Sequence, residues 1–204
     1  MAFLSFTGGP LAENCYVLYD ENTKDAAVID PGFMNDALEK AIGAFNVRYI
    51  LLTHGHFDHI RRAYMVKGLT AAPVVSLNTE KPLVEDAALN GSLHMLRHAI
   101  TAKVDETVKD GDGFMIGGIS VRVMHTPGLT AGGCCYVTDD AVFTGDTLMS
   151  YSVGRTDLPT GDANALMSSL QKLMALPEHL AVCGGHGSVT TLRDEKRLNP
   201  YLNF

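Results

Sequence analysis

Cysteine is scarce in this 204-residue chain, and the four present (Cys15, Cys134, Cys135 and Cys183) are scattered. Cys134 and Cys135 are adjacent on an expected strand and would point to opposite faces, which excludes a disulfide framework and leaves buried free thiols. Basic charge is also in deficit, with 16 Lys and Arg against 23 Asp and Glu and a formal net charge of -7. No basic surface is offered to a phosphate backbone, so nucleic acid is not an expected partner. Long apolar runs are missing as well: nothing approaches the ~20 residues of a membrane span. The N-terminal MAFLSFTGGPLAEN carries no positive charge ahead of its few apolar residues, so an export signal is not expected and a soluble cytoplasmic protein is. Low-complexity tracts, charge blocks, solenoid repeats and linkers are absent from the pattern. With 46% hydrophobic residues the chain can bury a sizeable core, and one domain over residues 1–204 is expected.

What is present is an alternation of β-type and helical segments. Strands are expected at 14–20, 25–30, 47–53, 73–76, 119–125, 133–138, 141–145 and 180–183. Helical spacing marks 35–45, where Leu38, Ala41, Ile42 and Phe45 share a face, and a broad stretch from about 79 to 100. Asp162 is placed to N-cap a helix striped by Leu166, Leu170 and Leu173, and a last helix runs from about 191 to Asn199-Pro200.

The chemistry concentrates in THGHFDHI, residues 53–60, directly after a strand. His125 ends another strand, Asp146 follows 141–145, and His186 follows 180–183. All lie at the carboxyl ends of strands, where loops meet at one rim of a sheet and ligands are collected. In extended chain, residues two apart point the same way, so His54 and His56 can grip one ion while Asp58 and His59 turn toward a second. Singly, each of these residues is a solvated loop histidine or, for Asp146, a turn cap. Their common placement outweighs that reading. His94 and His98, four apart in a helical segment without a carboxylate or glycine setting, and His179 are surface or packing residues.

The segments THGHFDH, HTPG, FTGDTL, VGRTDLPTGD (153–162) and GGHGSVTTLRDEKRLNPYL (184–202) together resemble the metallo-β-lactamase-fold hydrolases, and within them the short glyoxalase II-like proteins. The resemblance implies an α/β (α+β) fold, a four-layer αββα sandwich with a metal site at one edge between two mixed sheets. It implies two divalent metal ions: His54, His56 and His125 would hold one, Asp58, His59 and His186 the other, and Asp146 would bridge them. Zinc is the first expectation, with iron or manganese as alternatives. Water bound between two ions loses its proton near neutral pH and becomes the nucleophile, with Asp58 also orienting it.

Two ions set against Asp58, Asp146 and a hydroxide leave the site cationic, which favours anionic substrates. A thiol leaving group of pKa near ~8.5 departs with little acid assistance. Hydrolysis of a small anionic acyl thioester, as by a hydroxyacylglutathione hydrolase, is therefore expected, with Arg155 as a candidate contact to a substrate carboxylate. One alternative is an iron-dependent persulfide dioxygenase, a group similar in THxHxDH, HTPG and GRTD that uses one iron on the equivalents of His54, His125 and Asp146. LPTGD and the NPYL ending favour the hydrolase. A low-turnover metal-binding or sensing protein on the same scaffold is the other alternative.

The chain departs from the family pattern in three places. Ile60 is followed by Arg61 and Arg62 instead of Gly-Gly, which adds charge near the rim and is read as a solvated face or an anion-steering pair. HTPG is followed by Leu129-Thr130-Ala131-Gly132-Gly133 where the family often has His-Thr-Pro-Gly-Ser, a change expected to alter loop shape or the outer support of the ligands and not the ligand set. Full-length glyoxalase II carries a C-terminal helical domain with basic contacts to glutathione, and this sequence reaches Phe204 without it.

Overall fold

The computed structural model describes residues 2–202. Its first sheet opens as an antiparallel meander of Ala2–Gly8 (β1), Glu13–Tyr19 (β2) and Asp25–Ile29 (β3). It continues in parallel through Asn46–Leu51 (β4), Val74–Leu77 (β5) and Glu106–Val108 (β6), in that spatial order. The crossovers are helical: Asp36–Ile42 (α1) before β4, Phe57–Ile60 (α2) and Ala63–Thr70 (α3) before β5, then Lys81–Glu85 (α4) and Ser92–Leu96 (α5) before β6.

The second sheet is built from Gly113–Ile116 (β7), Ile119–His125 (β8), Cys134–Val137 (β9) and Ala141–Gly145 (β10). A two-stranded ribbon, Leu148–Met149 (β11) and Ser152–Val153 (β12), and the helix Ala163–Met174 (α6) then lead to Ala181–Gly184 (β13) and Thr190–Thr191 (β14). The spatial order is β14-β13-β10-β9-β8-β7, antiparallel except for the β10/β13 pair. Leu192–Leu198 (α7) and a short 3-10 turn close the described chain.

The period-2 alternation of the strands divides the core into layers. Tyr16, Leu18 and Leu51 of the first sheet pack between the sheets against Val121, Tyr136 and Phe143 of the second. Val17, Val28 and Ile50 face outward onto Leu38 of α1 and Val66 of α3, while Val142 and Val182 face Leu166, Leu170 and Leu173 of α6. The result is the expected αββα sandwich. Cys134 points into the inter-sheet core and Cys135 into the outer one, and all four cysteines are buried and free.

Asp162 accepts from the Ala165 amide at 2.9 Å as the expected N-cap of α6. The helical stretch expected over 79–100 is instead broken into α4 and α5. Asp86 is extended, and Gly91 and Arg97 take left-handed conformations with φ of 84° and 58°. β1 and β7 carried little sequence signal because their residues are mostly half-buried or exposed.

This topology places the site. β3 and β4 are parallel neighbours, as are β10 and β13, so four carboxyl ends gather at one rim. The two sheets are tied there: the Cys134 amide donates to the Thr53 carbonyl at 2.8 Å, the Asn14 amide to Gly185 O at 2.7 Å, and the Tyr136 hydroxyl to Leu52 O at 2.9 Å. No helix among the described residues is long and apolar enough to cross a membrane.

Candidate metal centre

Asp30, the residue after β3, sits at φ 50°, a left-handed conformation that Asp tolerates better than most residues. Its carboxylate accepts from the Thr53 amide (2.8 Å) and the Thr53 hydroxyl (2.6 Å), and faces His59 Nδ1 at 3.2 Å. Having donated to Asp30, the Thr53 hydroxyl is left to accept from His54 Nδ1 at 3.0 Å. His186 Nδ1 meets the Leu11 carbonyl at 3.1 Å. These partners assign the proton of each ring to Nδ1 and leave Nε2 bare. His54 Nε2, His56 Nε2, His59 Nε2 and Asp146 Oδ1 are buried without any hydrogen-bond partner. Orphaned atoms in a dry site are costly unless they share a cation, and imidazole with carboxylate is a donor set that fits a divalent first-row metal.

Asp58, His59 and His186 offer donor atoms within 4.8 Å of one another. His59 Nε2 lies 3.4 Å from both Asp58 Oδ2 and Asp146 Oδ1, and His186 Nε2 lies 3.3 Å from Asp58 Oδ2 and 3.7 Å from Asp146 Oδ2. Asp30, His54 and His59 form a second group of that kind. The Asp30 oxygens, however, are already engaged by Thr53 and His59 Nδ1, so Asp30 orients ligands and does not compete to be one. The His54 ring approaches those of His56 and His59 with centroids 4.8 Å and 4.2 Å away. Gly185 lies directly beneath the cluster, and a Cβ there would collide with the Asp146 carboxylate and the His59 ring.

Burial pushes His54 well down and His56 to about 4, so both are neutral donors. Burial alone would raise Asp58, but His59 and His186 hold it far below the usual carboxylate range. Asp146 is raised by burial. His59 is raised in spite of burial because Asp58, Asp146 and Asp30 surround it, so a proton and a metal ion compete for the same nitrogen.

Six of the seven expected ligands converge here, and His125 does not. Its Nε2 is engaged by the Ala131 carbonyl at 2.9 Å, and neither group of close-lying donor residues includes it. The turn after β8 carries Leu129 there instead. Leu129 is 2% exposed and lines a cavity of about 160 Å³ with His56, Asp58, Asp146, His186 and Arg155. The change therefore reaches beyond the loop shape or outer ligand support expected of it, because the side chain itself lines the centre.

Arg61 is also corrected: its guanidinium donates to the buried Glu13 carboxylate at 2.8 Å and to Gly32 O at 3.0 Å, a structural tie, while Arg62 is exposed. Arg155 stands at the cavity mouth, paired with Asp157 through two bonds of 2.7 Å. His94 and His98 are exposed, and Arg97 ends α5 between them. A larger cavity of about 660 Å³ lies at the opposite, amino-terminal end of β4 around Asn46 and Arg48.

Two supporting residues escaped the sequence reading. Asp30 carried a signal, since IDPG follows a strand as the other rim residues do. Glu80 carried none. It is buried and accepts from the amides of Gly55 (2.8 Å) and Gly132 (2.9 Å), clamping the rim loops of both sheets.

Residues 8–186 match the Metallo-beta-lactamase superfamily as a family. A hydroxyacylglutathione hydrolase, GloC of Haemophilus influenzae, is 34% identical over 198 residues, covering 94% of this chain and 93% of its own. Among solved structures, the BLEG-1 B3 metallo-beta-lactamase superposes with a TM-score of 0.93 at 36% identity, with 100% of both chains covered. The di-iron-bound form of TTHA1623 superposes with a TM-score of 0.85 at 34% identity, covering 98% of this chain and 100% of its own.

Proposed function

The chain belongs to the metallo-beta-lactamase superfamily, and from that premise we propose that it is a divalent-metal hydrolase acting on small anionic acyl thioesters of the hydroxyacylglutathione kind. The observation that carries the reading is the set of bare donors, His54, His56 and His59 Nε2 with Asp146 Oδ1, all buried, the His54 ring lying against those of His56 and His59, and His59 and Asp146 facing Asp58 and His186. Asp58, His59 and His186 would hold one ion, His54 and His56 another, with Asp146 between them. Zinc is the first candidate, and iron is supported by the di-iron form of the TTHA1623 structure. Bound ions would supply Lewis-acid polarisation of an acyl carbonyl and an acidified hydrolytic water.

The chain's own residues do the rest. Asp58, whose carboxylate stands beside His186 Nε2, would accept a hydrogen bond from the attacking water and orient it. Leu129 and Phe57 exclude bulk solvent from the cavity wall. Arg155 meets the substrate's negative charge at the mouth. A thiolate with a conjugate acid near ~8.5 leaves without a proton donor, and the cavity supplies no obvious one.

The test is a chelator-stripped sample assayed with a panel of acyl-thiols, a β-lactam and a persulfide. Hydrolysis of an anionic acyl-thiol, lost on stripping and restored by zinc, iron or manganese, is the expected outcome. Cleavage of the β-lactam alone would replace the substrate class, and BLEG-1 is the relative that warrants this arm. Oxygen uptake with a persulfide on one iron would sink the hydrolase reading. His125, tied to Ala131, is withheld from the one-iron site and from the two-ion site alike, so this arm of the assay decides between them.

A further inference from the structure

We propose that the centre binds its ions unequally: Asp58, His59, His186 and Asp146 hold one tightly, and the His54/His56 position is weak because Leu129 stands where it would need a donor of its own. The inference deepens the reading above and rests on it only for the presence of metal. The first position has three side chains dedicated to it, with donor atoms within 4.8 Å of one another, plus a share in Asp146. The second has two histidines and the same shared carboxylate. Protein zinc sites take three or four protein donors, and a carboxylate divided between two ions serves neither fully.

The wall beside His56 cannot supply the missing donor. Leu129 is buried there and offers only methyl groups. The loop that carries it is also fixed against rotation that would bring His125 inward. The Thr126 amide donates to Gly133 O (2.8 Å), the Gly128 amide to Thr130 O (2.9 Å) and the Asp162 amide to Gly128 O (2.8 Å), while the Gly132 amide is held by Glu80 at 2.9 Å. Gly128 itself takes φ 134° with the Leu166 backbone pressed against it, so this turn has little room to re-form. Free coordination positions at the second ion are thereby left to water and to the substrate's oxygen or sulfur atoms.

Zinc titration of the stripped protein, followed by dialysis and elemental analysis, reads the asymmetry without reference to turnover. One zinc per chain should be retained, with the second at least about 10-fold weaker, the scale of losing one supporting interaction at a metal. His186→Ala should release the retained ion and His56→Ala should keep it. Leu129→His should retain a second ion. Two ions of equal affinity in the unmodified chain, or the reverse behaviour of His186→Ala and His56→Ala, would overturn the proposal. So would a Leu129→His protein with unchanged circular dichroism that gains no second ion. Thioester assays on the same samples separate the two readings. One tight zinc without hydrolysis retains this inference and removes the substrate assignment, whereas two equal ions with hydrolysis does the opposite.

Discussion

The two rims that meet at the metal centre are built differently. The first sheet contributes His54, His56, Asp58 and His59 from six consecutive positions, each no more than 6% exposed, on a backbone clamped by Asp30 and Glu80. The second contributes Asp146 and His186 from two separate strands, with side chains 16% and 26% exposed. Their placement depends on the β10/β13 pairing, on Gly185 beneath them and on Asn14, whose side chain donates to Gly184 O and Gly187 O at 3.0 and 2.8 Å. The first rim is a dry, pre-oriented scaffold, and the second is the face that solvent and substrate reach.

The sharpest way to break this division of labour is Asp146→Ala, because that carboxylate faces His59 and His186 and lines the cavity with His56. Metal retention and kcat/KM for thioester hydrolysis should both fall by more than about 100-fold, beyond what losing an outer-shell partner costs. Elemental analysis alongside kinetics checks it. Retained metal with lost turnover would instead make Asp146 a substrate-facing group. On the first rim, Asp30→Asn keeps the shape and tolerates the left-handed backbone, but it cannot accept from both Thr53 and His59. Metal affinity measured by cobalt titration should drop by about 10 to 100-fold while the fold persists. An unchanged affinity would mean that packing alone orients His59.

The same contrast explains what the sequence could disclose. THGHFDHI was legible because all its donors lie within one short segment whose local geometry aims them together. Asp146 and His186 were legible as strand ends, since the carboxyl ends of parallel neighbours share a rim. His125 met the same criterion and still does not reach the centre, because the strand end is followed by a turn and the turn, not the strand, decides which side chain enters the cavity. Leu129 looked like a loop residue for that reason. Arg61 reads as a surface charge until Glu13, distant in sequence, is seen buried against it. The layers of the sandwich followed from alternation and helical stripes, whereas β1 and β7, half exposed, gave alternation too weak to register.

Glu80 joins the two rims and makes their connection sensitive to pH. Burial pushes its carboxyl up from the ordinary 4.5 to about 7, against the opposing pull of the Gly55 and Gly132 amides. Because the folded protein holds this proton more strongly than the unfolded chain, the contribution to stability is complete below about pH 4.5 and is lost as pH rises through about 7. Relative to Glu80→Gln, which does not titrate, the unmodified protein should lose up to about 3 kcal/mol of stability across that window. Urea denaturation at several pH values measures it. A constant difference between the two proteins would show that Glu80 stays ionised and acts as a fixed clamp.

The smallest expected effect lies at the mouth of the second rim. Arg155 is 58% exposed at the side chain and already paired with Asp157, itself 66% exposed, so neither residue should matter to folding, since exposed ion pairs contribute little. Its consequence is confined to substrate charge. Removing the competitor by Asp157→Ala frees the guanidinium to meet a substrate carboxylate and should lower KM several-fold for an anionic thioester, leaving a neutral one unchanged. Arg155→Ala should raise KM for the anionic substrate by a similar factor with kcat held, because a contact made equally in ground and transition states alters binding alone. The pair of variants therefore has a signature of opposite signs that a purely structural ion pair would not give. If both variants shift KM in the same direction, or shift it equally for neutral and anionic thioesters, Arg155 belongs to the loop's architecture and substrate charge is read elsewhere on the rim.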